Sequence, residues 1–300
     1  MVLFFVADLF SIVVTMPHSL TKEIIMLCLK PLVISALLFF ISGATQAQWQ
    51  QEWVALEGEL IQGAMVVGVI PKEAQLWIED RKVRVTDGRF VFGLGRDAAA
   101  TVKLRSVYQD KDLTWQIPVK EREYNIQRIN GIAKKYMAPS EEALNRIRDD
   151  NRQVGQARKK NLATEFYRET FVWPVKGAIT GVYGSQRIFN GEPRRPHFGI
   201  DIAAAKGTPV KAPASGEVTL AHPDMYYSGA TMVLDHGHGI SSTFLHMDSF
   251  AVEEGQQVEQ GQVLGYVGST GRSTGAHLDW RVNWFNQRLD PASIAGPMPE

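Results

Sequence analysis

Cysteine is almost absent from this chain of 300 residues: there is one, Cys28. A disulfide framework and a cysteine-ligated zinc site are thereby excluded. An excess of charge is missing as well. Lys plus Arg and Asp plus Glu both number 32, and the formal net charge is zero. Such a balance gives no global attraction to nucleic acid or to an anionic membrane surface, and no nucleic-acid partner is expected. Histidine is missing from residues 48–125, so no imidazole-based site is expected there. No long internal repeat or low-complexity tract is evident. What remains is 45% hydrophobic and 21% charged, an ordinary globular composition at a length of one or two domains.

The N-terminal stretch reads as an export segment. Lys22 and Lys30 precede the apolar run 31–42, which is followed by Gly43-Ala44-Thr45-Gln46-Ala47. A basic region, a short apolar run and small residues form the pattern of a signal peptide over residues 1–47, cleaved after Ala47. The run is short for a membrane span. An uncleaved anchor is the alternative, and Met16 or Met26 is a candidate start. The expected location is the periplasm or cell envelope. Cys28 falls before the apolar run ends, which leaves the mature chain without a thiol.

Residues 48–125 alternate apolar and polar in short runs, at 74–78, 82–85 and 101–105, with the hairpin dipeptide Asp87-Gly88 between two of them. This predicts a small β-sandwich-like domain of structural or interaction type. A helical linker is expected over 126–169, with its helix from 140 to about 166. Ser140 caps it, Glu141 and Glu142 favour its positive end, and Leu144, Ile147, Asn151, Val154 and Leu162 share a face. The helix is read as a solvated connector, or as a basic arm through Arg158, Lys159 and Lys160. Beyond Phe171 strands return, at 210–212, 217–220, 231–234, 243–245 and 263–267, with the turn Asp235-His236-Gly237-His238-Gly239 between two of them. The fold class is mainly β.

Six of the seven histidines lie after residue 190, and imidazole is both a common metal ligand and the usual acid or base near neutral pH. His197-Phe198-Gly199-Ile200-Asp201 places two ligand types four residues apart, and Pro196 with Gly199 argues for a strand or turn rather than a helix. In a strand, His277 and Asp279 face one way and Leu278 the other; Phe244 and His246 likewise share a face. His236 and His238 read as turn residues, and His222 receives no role. Trp280, Trp284 and Tyr266 are read as core aromatics ahead of sugar-stacking ones.

In their order, these motifs resemble the lysostaphin-like, or LytM-type, zinc metallopeptidases. The resemblance covers roughly Trp173 to Pro291. It includes Tyr183-Gly184-Ser185-Gln186-Arg187, the His197 to Asp201 run, Gly207-Thr208-Pro209-Val210, Ala212-Pro213-Ala214-Ser215-Gly216, Leu245-His246, Gly261-Gln262-Val263-Leu264-Gly265 and the glycine-rich approach to His277. It implies an antiparallel β-sheet peptidase domain over 170–300 and peptidoglycan as substrate, cut at its peptide cross-links. It implies one zinc ion held by His197 and Asp201, with His246 and His277 acting on water and transition state in an order left open.

The sequence departs from the family at the third ligand, where Asp279 stands in place of histidine. Carboxylate is an acceptable zinc ligand, so Asp279 is expected to complete the set. A second carboxylate lowers the first-shell charge from about +1 to about zero, which predicts a weaker Lewis acid or a preference for a harder ion. The expected function is an exported zinc endopeptidase of the cell wall. The alternative is a catalytically weak module of the same fold that binds and activates a cell-wall amidase.

Overall fold

The computed structural model describes residues 49–131 and 140–299. The export segment, Cys28 and the cleavage position after Ala47 lie outside the described residues. Among the described residues no helix is long and apolar enough to cross a membrane.

The first eight strands are β1 (Trp49–Gln51), β2 (Val54–Glu57), β3 (Met65–Val69), β4 (Gln75–Ile78), β5 (Arg81–Val83), β6 (Arg89–Gly93), β7 (Thr101–Tyr108) and β8 (Lys111–Pro118). They form two four-stranded sheets, ordered β1-β2-β3-β6 and β5-β4-β7-β8. Alternation is the cause: in β7, Val102, Leu104 and Ser106 are buried while their neighbours are not. The inward faces of both sheets contribute to one buried cluster that includes Leu56, Val66, Leu76, Phe90 and Leu104. Asp87 and Gly88 both adopt positive φ, 48° and 77°, and Thr86 and Arg89 exchange both backbone hydrogen bonds around them. That is the geometry an Asp-Gly hairpin turn requires. It passes the chain from β5 in one sheet to β6 in the other.

The segment 126–169 is less helical than its sequence suggests. It opens with a strand, β9 (Ile126–Ile129), paired in parallel with β11 (Gln186–Phe189) of the following domain. Helix α1 (Glu141–Ala157) starts where Ser140 Oγ accepts from the Ala143 amide. It stops at Ala157 rather than near 166, with Arg158 as its C-cap and two further turn bonds, Lys159 to Gln156 and Lys160 to Ala157, leading out of it. The helix is not a solvated connector. Ala157 and Val154 pack with Leu220, Met225 and Val233, Arg146 pairs with Asp224 at 2.6 Å, and Asp150 accepts from the Tyr226 amide at 2.7 Å. Nor do its basic residues form one exposed arm, since Arg158 is 8% exposed.

The C-terminal domain comprises β10 (Ala178–Gly181), β11, β12 (Glu192–Pro193), β13 (Ile200–Ala203), β14 (Pro209–Lys211), β15 (Gly216–Met225), β16 (Gly229–Gly237), β17 (Ile240–Phe250), β18 (Gln257–Val258), β19 (Val263–Val267), β20 (His277–Trp284) and β21 (Gln287–Leu289), then α2 (Pro291–Ala295). Its main sheet runs β10-β13-β20-β17-β16-β15-β18, all antiparallel. Strand β16 is buried along its whole length. Trp280 and Trp284 are core residues and Tyr266 is exposed.

The two β domains share a continuous core. The Phe92 ring meets Trp284 edge-on at 6.4 Å, Arg81 lies 4.0 Å over the Phe285 ring, and Thr86 Oγ1 bonds His238 Nε2 at 3.1 Å. His238 occupies the turn foreseen for it, with φ 51°. His236 lies at the end of β16, fully buried between the Ser215 carbonyl (2.8 Å) and Ser242 Oγ (2.9 Å).

Burial lowers the His236 pKa from 6.5 to about 4. The folded-state value lies below the unfolded one, so the unfolded chain takes up the proton first. The contribution of neutral His236 to stability is complete above pH 6.5 and is lost as the pH falls toward about 4. Denaturant unfolding across this interval is expected to show His236→Gln losing less stability on acidification than the parent, by up to about 3 kcal/mol. Equal losses in both proteins would refute the assignment.

Candidate metal centre

Register builds the site. Strands β13 and β20 pair Asp201 with Asp279 and Ala203 with His277, while β20 and β17 pair Asp279 with Leu245. Side chains two apart on one strand share a face, so Asp201 and Asp279 stand side by side. His197 precedes β13 on a loop tied down by its own amide bonding to the Ser185 carbonyl and its carbonyl accepting from the Gly184 amide. His246 reaches the same place through a bulge, with φ 62° and its amide bonded to the Ser228 carbonyl rather than to a ladder partner.

Donor atoms of His197, Asp201 and Asp279 all lie within 4.8 Å of one another. His197 Nε2 is buried without a hydrogen-bond partner, and it stands 3.3 Å from Asp201 Oδ1. With zinc bonds of about 2.0–2.1 Å, the edge of a ligand tetrahedron is also about 3.3 Å. An orphaned imidazole nitrogen and two carboxylates at this spacing fit a divalent cation.

The two further histidines are held in one tautomeric sense. His246 Nδ1 lies 2.8 Å from the Thr270 carbonyl and His277 Nδ1 lies 2.9 Å from the Gly275 carbonyl. A carbonyl only accepts, so each Nδ1 carries a proton, and in the neutral ring Nε2 is the atom left to accept. The rings are 4.7 Å apart, and His277 Nε2 is 3.9 Å from Asp201 Oδ1. Burial, opposed by the bond to Thr270, lowers the His246 pKa and keeps this ring neutral near pH 7. The five residues singled out in the sequence therefore converge.

A sixth residue was not foreseen. Arg281 Nε donates to Asp279 Oδ1 at 2.9 Å and to Oδ2 at 3.1 Å, and its Nη2 donates to Oδ2 at 2.5 Å. Burial works against the Asp279 carboxylate, but the guanidinium outweighs it and holds its pKa below the usual carboxylate value. The argument from Asp279 to a weaker metal needs revision on this ground. Two carboxylates would cancel a divalent charge, and Arg281 adds one back, so the local sum returns to about +1. An Asp–Arg pair thus carries the charge that a neutral histidine would leave. The pair fits because residue 199 is glycine: a Cβ there would lie 2.6 Å from both Asp279 Oδ1 and Arg281 Cγ. The i, i+2 spacing of Asp279 and Arg281 on one strand face was the available sequence signal.

The site opens on a groove of about 1120 Å³ lined by His197, Asp201 and His246 on one side and by Ile147, Val154 and Arg158 from α1 on another.

A His/Asp donor set beside two imidazoles on an antiparallel sheet is an arrangement that suits a divalent cation with acid–base groups next to it. The family model named Peptidase family M23 matches residues 195–291, within the C-terminal sheet that carries the donor set. Among curated proteins, the chain is 43% identical over 106 residues to the DD-carboxypeptidase/endopeptidase Mpg of Neisseria meningitidis, covering 35% of this chain and 24% of that protein. It is 30% identical over 122 residues to the murein hydrolase activator NlpD of Escherichia coli, covering 41% of this chain and 30% of that protein. The match thus spans about a quarter to a third of these relatives' lengths. A crystal structure from Pseudomonas aeruginosa assigned to peptidase M23 superposes with a TM-score of 0.63 at 28% identity, covering 80% of this chain and 96% of that one.

Removing the guanidinium isolates a buried carboxylate. Arg281→Leu is expected to cost roughly 3 kcal/mol or more of unfolding free energy, and Asp279→Asn in the same chain to recover much of it. A double-mutant cycle that finds the two substitutions additive would refute the coupling.

Proposed function

We propose that this chain is an exported zinc endopeptidase that hydrolyses peptide cross-links of peptidoglycan in the periplasm or cell envelope. One observation carries the reading: the metal-donor atoms of His197, Asp201 and Asp279 converge beside two histidines, His246 and His277, whose Nδ1 atoms are each held by a backbone carbonyl. Relatives named as peptidoglycan DD-endopeptidases, ShyB and ShyA of Vibrio cholerae, support the substrate class.

His197, Asp201 and Asp279 would hold the zinc, which supplies Lewis acidity toward water and a carbonyl oxygen when bound. Arg281 orients the Asp279 carboxylate and keeps it ionised. His246, neutral and fixed by Thr270, takes the proton from the attacking water at Nε2. His277, fixed by Gly275 and Ser273 with its ring 4.7 Å from that of His246, is the alternative acceptor, and whichever ring takes the water's proton returns it from Nε2 to the leaving amine. The groove walls, α1 among them, restrict water around an extended peptide.

A second reading has its own support. Arg281 already engages both oxygens of Asp279, and one relative is named a murein hydrolase activator. On that reading the module binds and activates a cell-wall amidase.

Metal analysis with a muropeptide digest separates them. The purified protein is expected to carry about one zinc per chain and to convert cross-linked dimers to monomers. Chelation, or Asp279→Ala, should abolish both. Metal-free protein that releases products only when an amidase is added would overturn the peptidase reading and support the activator.

A further inference from the structure

Beyond the metal donors, the groove floor carries a run of arginines. On β20 the side chains of Asp279, Arg281 and Asn283 share a face, which sets Arg281 about 7 Å and Asn283 about 14 Å along the groove from Asp279. Cross-strand partners complete this floor: Thr243 pairs with Arg281, and Arg288 pairs with Asn283. Arg158 descends onto it from the C-terminus of α1, its Nη2 donating to Thr243 Oγ1 at 3.2 Å. Asn283 Nδ2 donates to that same hydroxyl at 3.4 Å, and Asn283 Oδ1 accepts from Arg288 Nη1 at 2.5 Å. Arg158 and Arg288 thus meet on one hydrogen-bonded base. Arg195 and Arg288 both lie against the Phe198 ring, at 5.4 and 5.8 Å. All of these arginines line the groove.

Their charges are not balanced. Arg281 is committed to Asp279. Among the described residues no carboxylate pairs with Arg158, Arg195 or Arg288. Arg158 is 92% buried by the complement of its 8% exposure, yet its Nε has no hydrogen-bond partner. Burial, then repulsion from the other arginines, pushes Arg158 well below its ordinary value and Arg288 down to about 9. The C-terminal end of α1 brings a partial negative charge to Arg158, which is well short of a full counter-charge. Arg158 is buried, Arg288 half-buried and Arg195 exposed, and a ligand of opposite sign reaching them from the groove would relieve their repulsion.

We propose that Arg158, Arg195 and Arg288 form a carboxylate-binding subsite, which takes a free carboxylate of the peptide lying across the metal donors. The planar fork of guanidinium matches carboxylate geometry, and the subsite is roofed by α1 and continuous with the donor set, as an extended peptide requires. The peptide identity of the ligand rests on the peptidase reading; the anion site does not. The arginines select a substrate by an acidic group several ångströms from the bond cut.

The test is titration of the purified protein with N-acetyl-D-Ala-D-Ala and with its C-terminal amide, followed on the arginine Nε–Hε resonances. Phenanthroline is added to prevent turnover, because a polycarboxylate chelator would compete for the subsite. The acid is expected to bind about tenfold tighter than the amide and to shift the Arg158 and Arg288 signals. Arg158→Gln and Arg288→Gln should bring the ratio to about one, and Arg158→Lys should retain part of it. Equal binding of acid and amide by the parent protein overturns the proposal without recourse to any variant, as does failure of both peptides to bind. A Glu-rich helical peptide that binds where both dipeptides fail also overturns it, and assigns the cluster to a protein partner. Cross-link cleavage with equal acid and amide affinity removes the subsite and leaves the peptidase reading; an acid preference without cleavage does the reverse.

Discussion

A carboxylate stands almost fully buried in the floor of the groove, and it remains ionised there because a guanidinium two residues along the same strand is bonded to both its oxygens. Much else follows from this Asp279–Arg281 pair. It fixes the face of β20 that meets the groove. It requires a glycine at position 199, where any side chain would collide with it. It supplies the third metal donor in an orientation set by the protein, as outer-shell partners of metal ligands do. It also restores the unit of positive charge that a carboxylate in place of an imidazole removes.

The same pair organises the rest of the groove. With Arg281 neutralised by Asp279, the remaining arginines are left without a carboxylate of their own. The polar groups they share, Thr243 and Asn283, are buried hydrogen-bonding residues and not counter-charges. The groove therefore holds both a carboxylate-bearing donor set and a cluster of arginines without ion-pair partners among the described residues. A peptide lying in it would meet a region suited to a metal and its scissile carbonyl, and then one suited to an acidic group. Helix α1 closes the space above both, held by Arg146 and Asp150 to β15 and the turn after it.

Much of this was legible in the chain. The alternation of β7 and of β20, the Asp87-Gly88 turn and the cap at Ser140 act between neighbours, and local signals of that kind survive in sequence. The donor set was legible through the resemblance of the ordered motifs around His197, Asp201 and His277 to a known family, since their spacing alone is weak. The helical extent of 126–169 was not. Strand β9 exists because β11, some sixty residues on, offers it an edge, and α1 ends at Ala157 with the chain turning away toward the C-terminal strands.

What the sequence determined by itself was a mainly β chain, a metal-type donor set of His197, Asp201 and Asp279, and two accompanying histidines at 246 and 277. The β class rests on short-range periodicity, and the site residues rest on the resemblance of their ordered motifs to a known family. Only the tertiary structure decided that Arg281 balances Asp279, that the apolar stripe of α1 covers the groove instead of facing water, and that Arg158 joins Arg195 and Arg288 beside the donors. These depend on side chains brought together from distant strands and a helix, and the Coulomb and desolvation energies that give them meaning exist only once burial has excluded water from between them.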